Sequence, residues 1–181
     1  MEKHSSIYTK NGDQGNTGSW MGESVSKADW RIELQGAVDE VNAAVGHLRS
    51  LAGKEGESLK EIQYACFRIG TDISGNFRQV SITPEDTRAL EEAIDRMESG
   101  TGPLRSFLYY GGGPAATYAQ VVRSIVRRAE RVFVHLVLDK GLDYPEDYRY
   151  VNRLADYFFA YARHLNHLDG VPEEEMHLKR P

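Results

Sequence analysis

Residues 115–141 read AATYAQVVRSIVRRAERVFVHLVLDKG, with no proline and no glycine before the last position. Successive residues of an α-helix turn by about 100°. At that rotation Tyr118, Val121, Val122, Ile125, Ala129, Val132 and Leu136 share one arc, which predicts a long amphipathic helix with that arc buried. Pro114 suits its first turn and Gly141 its end. Arg123, Arg127, Glu130 and Arg131 collect in a second arc roughly 100° wide. A helix built this way needs partners to cover its apolar arc, and the same spacing recurs on both sides of it.

Upstream, WRIELQGAVDEVNAAVGHLRSLA carries Leu34, Val38, Val41, Val45 and Leu48 at helical spacing, until GKEG breaks it. ESLKEIQYACFRIGTDISGNF repeats the pattern with Leu59, Ile62, Cys66, Ile69 and Ile73. A third helix starts in SITPEDTRALEEAIDRMESG, where Thr83 can cap, Pro84 fits the first helical position and acids fill the first turn. TGPLRSFLYYGGG is a glycine-rich connection. Downstream, PEDYRYVNRLADYFFAYARHLNHL predicts a fifth helix with Val151, Leu154, Phe158, Tyr161 and Leu165 facing the core and Asn152, Asp156 and Arg163 on another face. A short strand is expected at Ile7–Thr9, and the polar tail VPEEEMHLKRP is expected to fray. The fold class is therefore all-α, a five-helix bundle over residues 30–170, preceded by a segment 1–29 and followed by a tail 171–181.

The 181 residues suit one domain with a real core. A formal net charge of −5 argues against a general nucleic-acid binder, though a local basic cluster can still serve a small phosphorylated ligand. The single cysteine, Cys66, rules out an internal disulfide and a cysteine-rich zinc site, and is expected as a buried structural thiol. MEKHSSIYTK lacks the apolar core of a signal peptide, and VFVHLVL is too short to cross a bilayer. No membrane association is expected, and the protein is expected in the cytoplasm.

Two features point to chemistry, and each has a bland alternative. RSIVRRAER concentrates arginine in an otherwise acidic chain. It is either a solvated face or a set of planar donor forks for phosphate or carboxylate oxygens. Asn152 on the fifth helix either binds a ligand or ties helices together. The opening stretch YTKNGDQGNTGS, residues 8–19, spaces Gly12, Gly15 and Gly18 by threes. It is either a flexible leader or a backbone cradle for anionic oxygens, with Thr9, Lys10 and Thr17 as added donors and Lys27 just beyond. It is not a Walker A loop. Asp39 and Asn42 flank the apolar stripe of the first helix, a position suited to an edge or interface. His164 and His167 lack a carboxylate at a metal-binding spacing, and no catalytic triad stands out.

Taken together, YTKNGDQGNTGSWMGESVSKAD, GAVDEVNAAVG, RSIVRRAERVFVHL and YVNRLADYFFAYAR resemble, in order and spacing, the signature blocks of the PduO-type ATP:cob(I)alamin adenosyltransferases. The likeness runs from about Ile7 to Arg163. Asn11 stands where that family usually has threonine, and Gln14 where it usually has lysine. The resemblance implies a homotrimer with each active site at a subunit interface. It assigns ATP to Thr9, Lys10, Asn11, Gly12, Thr17, Gly18 and Lys27, to Arg127, Arg128, Glu130 and Arg131, and to Asn152. It implies that Arg123 pairs with Asp39 of a neighbouring subunit, and that Phe107 packs under the corrin and excludes the lower axial ligand. It also implies Mg²⁺, cob(I)alamin as a substrate, a reductase, and an adenosylcobalamin-dependent client enzyme. The alternative is an ATP-gated cobalamin carrier without turnover.

Overall fold

A computed structural model describes residues 7–176; the last part of the tail expected to fray, 177–181, lies outside the described residues. Five helices dominate it: α1 (Trp30–Leu51), α2 (Leu59–Ser74), α3 (Pro84–Thr101), α4 (Pro114–Lys140) and α5 (Glu146–Leu168). Four very short strands make two antiparallel pairs, β1 (Asn16–Gly18) with β2 (Ser24–Ser26), and β3 (Phe107–Leu108) with β4 (Glu175–Met176). No described helix is long and apolar enough to cross a membrane.

α4 is the central element. It packs on α1 and α5, while α2 lies on α1 and α3 on α5. Its buried line runs through Val122, Val126, Ala129, Phe133 and Leu136. Val121, expected in that line, is 47% exposed. At 100° per residue it lies more than a quarter turn from the centre of the line, whereas Val122 sits at that centre with Ala129 and Phe133 close on either side. The anticipated stripes of α1 and α2 are buried throughout, Cys66 included. Burial, with the nearby charge of Asp39, pushes the Cys66 thiol up to about 12, so it stays protonated and packs as an apolar group.

The helix ends follow local chemistry. Thr83 caps α3, its side chain accepting from the Asp86 amide while the Asp86 carboxylate accepts from the Thr83 amide, with Pro84 opening the helix. Asp86 also takes both Arg68 amino groups, at 2.8 and 2.9 Å, which ties α3 to α2. Gly141 ends α4 in the left-handed region.

Three expectations change. Ile7–Thr9 is not a strand; the first strand comes later, because Gly12–Gly15 forms turns that bring Asn16–Gly18 back along Ser24–Ser26. The tail is ordered as far as it is described. The Tyr109 amide donates to the Glu174 carbonyl at 2.9 Å, and β4 pairs with β3. Arg163 does not stand on an open face with Asn152 and Asp156. It is 4% exposed, because the tail folds over it and Glu173 supplies a counter-charge at 2.5 Å.

Candidate functional site

The residues singled out from the sequence fall into two groups on different parts of the chain. The first is the segment from Lys10 to Asp29, which lies on α1 and α2. Gly12 and Gly15 accept and donate in successive turns, and the Lys27 amide donates to the Gly15 carbonyl at 2.9 Å. The Lys27 ammonium donates to the Gly12 carbonyl, also at 2.9 Å, closing the loop on itself. Lys10 adopts a left-handed backbone (φ 62°), a conformation that a lysine reaches only at some cost. Val25 is buried and pins β2, and the Trp20 amide donates to Ser74 Oγ at 2.8 Å, which docks the hairpin on α2.

Between hairpin and helices lies a cavity of about 670 Å³, bordered by Thr17, Gly18, Trp20, Asp39, Asn42 and Cys66. Trp20 and Phe67 stand largely exposed at its edge. Asn42 is buried, and its Oδ1 has no hydrogen-bond partner among the described residues. The cavity therefore has an aromatic rim, an acid in its lining and a buried, unsatisfied acceptor.

Of the second group, Arg123 and Arg127 line a cavity of about 610 Å³ between α3, α4 and α5, whose wall also carries Arg153 and the acids Glu91, Asp95, Glu98 and Asp156. Arg123 is held rather than paired with an acid. Its Nε donates to Gln120 Oε1 at 2.8 Å, and its guanidinium sits over the Tyr110 ring at 4.7 Å. Among the described residues neither Arg123, Arg127 nor Arg131 forms an ion pair. Arg131 Nη1 donates to the Arg127 carbonyl at 2.9 Å. Asn152 Nδ2 donates to Glu130 Oε1 at 2.8 Å, joining α5 to the arginine row. Arg153 spans Glu91 at 3.0 Å and Asp156 at 2.8 Å. Arg128, expected with the others, turns toward α1 and pairs with Glu40.

The cavity as a whole carries more acids than arginines, so it is the α4 row, Arg127 and Arg131, that suits an anion. A guanidinium without an acid beside it keeps its charge available, and two or more on one helix face present parallel donor forks. Phe107 stands apart in β3, 69% exposed, with Leu108, Tyr109, Tyr110 and Met176 around a hollow of about 260 Å³. Tyr110 links this aromatic group to the arginine cavity through Arg123.

One chain thus brings Arg123, Arg127, Glu130, Arg131 and Asn152 together, and Thr9 to Gly18 together with Lys27, but does not join Asp39 to Arg123. The two cavities share no lining residue. Sequence reasoning missed Arg153, whose bonds depend on α3, Asn166, whose partners are backbone groups remote in sequence, and Glu173, which the tail folds back onto the buried Arg163. Trp20 had a usable signal, a large aromatic in a polar, glycine-rich stretch.

Comparison with known proteins gives a consistent answer. The family model for cobalamin adenosyltransferase matches residues 7–165. The corrinoid adenosyltransferase of Bacillus subtilis is 35% identical over 177 residues, covering 93% of this chain and 91% of that protein. The corrinoid adenosyltransferase PduO of Salmonella typhimurium is 37% identical over 164 residues, which is 87% of this chain and 48% of that longer protein. A variant PduO-type ATP:corrinoid adenosyltransferase from Lactobacillus reuteri, solved in complex with cobalamin and ATP, aligns with a TM-score of 0.85 at 34% identity, over 94% of this chain and 96% of that one.

Proposed function

The chain belongs to the cobalamin adenosyltransferase family, and from that premise we propose that it transfers the 5′-deoxyadenosyl group of ATP to cob(I)alamin, giving adenosylcobalamin and triphosphate. One observation carries the reading: the Lactobacillus reuteri enzyme, whose structure holds cobalamin and ATP together, has this fold over nearly the whole chain at 34% identity.

The reaction asks little acid–base chemistry of the protein. Cobalt(I) donates an electron pair to C5′, the C5′–O bond breaks, and triphosphate leaves with that bond's electrons. The protein's share is to align the reactants, balance the charge that grows on the leaving group and keep the lower face of the corrin clear. Arg127 and Arg131, without acid partners among the described residues, support the second task. Thr9, Lys10, Asn11, Gly12, Thr17, Gly18 and Lys27 act as donors around the phosphates, and Arg128, Glu130 and Asn152 complete the nucleotide site. Phe107, exposed on its loop, takes the lower face and makes reduction of cob(II)alamin easier by denying the cobalt its fifth ligand.

Mg²⁺ fits as an ion that arrives with the triphosphate. Among the described residues no group of three His, Cys, Asp or Glu side chains could hold a metal, and Mg²⁺ is commonly held by one or two carboxylates plus substrate phosphates. Glu130, steadied by Asn152, is the carboxylate on the arginine face. Asp39 and Arg123 border different cavities, which supports their pairing between subunits and hence a homotrimer with interfacial sites. ATP and a strongly reduced cobalt support a cytoplasmic setting, with a reductase upstream and an adenosylcobalamin-dependent enzyme downstream.

The test is spectroscopic. With protein and ATP, cob(II)alamin should show the four-coordinate signature, and without ATP it should not. Cobalt that stays five-coordinate at saturating ATP contradicts this reading of the site.

A further inference from the structure

The connection from Gly102 to Gly113 carries Phe107, Tyr109 and Tyr110, all exposed, yet its backbone is tied down along its length. At its start, Arg163 Nη2 donates to the Gly102 carbonyl at 3.0 Å. At its end, Asn166 closes a two-point clasp. Its Oδ1 accepts from the Gly113 amide at 3.1 Å, and its Nδ2 donates to the Gly111 carbonyl at 3.0 Å. Gly112, between them, has φ +116°, and a Cβ there would overlap the Asn166 amide. The run Gly111–Gly113 is therefore shaped by one side chain, with Gly112 lacking room for anything larger than hydrogen.

Arg163 and Asn166 lie three apart on α5, so they are neighbours on one helix face. That face also carries the tail. Glu173 neutralises Arg163, the Val171 amide donates to the Asn166 carbonyl at 2.8 Å, and Glu175–Met176 pairs with Phe107–Leu108. Both ends of the aromatic loop and the strand beside it thus hang from adjacent residues of a single helix. The rings face outward while the backbone is fixed, the arrangement of a platform set before its ligand arrives.

Resting on the function proposed above, we infer that Asn166, assisted by the Arg163–Glu173 pair, is a positioning residue for the reaction. It sets the height and orientation of the Phe107 ring against the corrin without touching substrate. A ring held in place beforehand pays no ordering cost on binding, and a displacement of about an ångström is enough to weaken a group whose job is to occupy a ligand position.

The experiment compares wild type, Asn166→Ala and Asn166→Asp at saturating ATP, reading the fraction of four-coordinate cob(II)alamin, the ATP KM and the melting temperature. Asn166→Ala should lower the four-coordinate fraction and the rate from cob(II)alamin by roughly three- to tenfold, the scale of one or two lost hydrogen bonds. Asn166→Asp keeps the acceptor for Gly113 and should fall between the two. The ATP KM should stay within about twofold, because the nucleotide groups lie elsewhere. A wild-type signature that persists undiminished in a folded Asn166→Ala, or in Asn166→Asp should alanine not fold, overturns the inference alone. A wild-type protein that gives no signature overturns the proposed function and this inference with it.

Discussion

Gly12–Gly22 and Gly111–Gly113 give the same signal in the sequence and opposite structures. The first is shaped from within, by backbone turns and the Lys27–Gly12 contact. Around Gly15, Gly18 and Gly22 a Cβ would meet nothing within 4 Å. The second is shaped from outside, wrapped on the amide of Asn166 with no space at Gly112. Glycine permits both, since it removes a steric bar without saying what takes the place of the side chain. An open glycine loop leaves space beside its backbone for a ligand, even where its amides close turns; a filled one has already used its freedom to hold something else.

If the open loop and the arginine face serve a triphosphate, the largest effect should come from Arg127→Ala. Loss of a charged hydrogen bond to a buried anion costs about 1.5–3 kcal/mol, which steady-state kinetics would register as a roughly ten- to hundredfold fall in kcat/KM for ATP. Unchanged kinetics at low ATP would make that face mere solvated surface and leave the open loop without a partner.

A second effect bears on the helix that holds the closed loop. Asp147, in the first turn of α5, is fully buried beside the Asp72 carboxylate. Burial, together with the charge of Asp72, pushes its carboxyl up to about 8, partly offset by its own backbone amide and then by Arg68. The folded state therefore keeps a proton that the unfolded chain has already released. Stability should fall as pH rises from about 4 toward 8 and then level off. Asp147→Asn should flatten that slope and raise stability at pH 8 by about 1–3 kcal/mol. Melting temperatures of the two proteins between pH 6 and 9 would decide it, and parallel curves would count against the buried proton.

The comparison itself is sharpest in two alanine substitutions. Gly112→Ala has to displace Asn166 and should destabilise by about 1–2 kcal/mol, visible as a lower melting temperature. Gly18→Ala, with no positive φ and open space, should change stability by less than about 0.5 kcal/mol. Any loss of ATP affinity it causes would then belong to the ligand. Equal melting losses in the two variants would erase the distinction between open and filled loops.

The five helices were legible because their apolar spacing is local and the caps at Thr83 and Gly141 act on their own turns. The centre of α4 was misplaced toward Val121 because spacing gives an arc, whereas neighbouring α1 and α5 choose which part of it is covered most deeply. The hairpin and β4 were missed for a different reason. Strands of two or three residues carry no period, and β4 exists only because β3, distant in sequence, supplies its partner. Arg163 looked available because the acid that neutralises it lies in the tail. Of the candidate site, the arginine row could be read from the sequence. Which arginines remain unpaired could not, since Arg128 is taken by Glu40 across a helix contact while Arg127 is not.

On the proposed function, the two groups of residues serve one displacement at C5′. Incubating the protein anaerobically with pre-reduced cob(I)alamin and ATP, and measuring both adenosylcobalamin and triphosphate, tests it most directly. The two products should appear in equal amounts, rising together with time and absent without protein. Binding of both ATP and cobalamin with neither product formed would contradict it, and would make the protein an ATP-gated carrier instead.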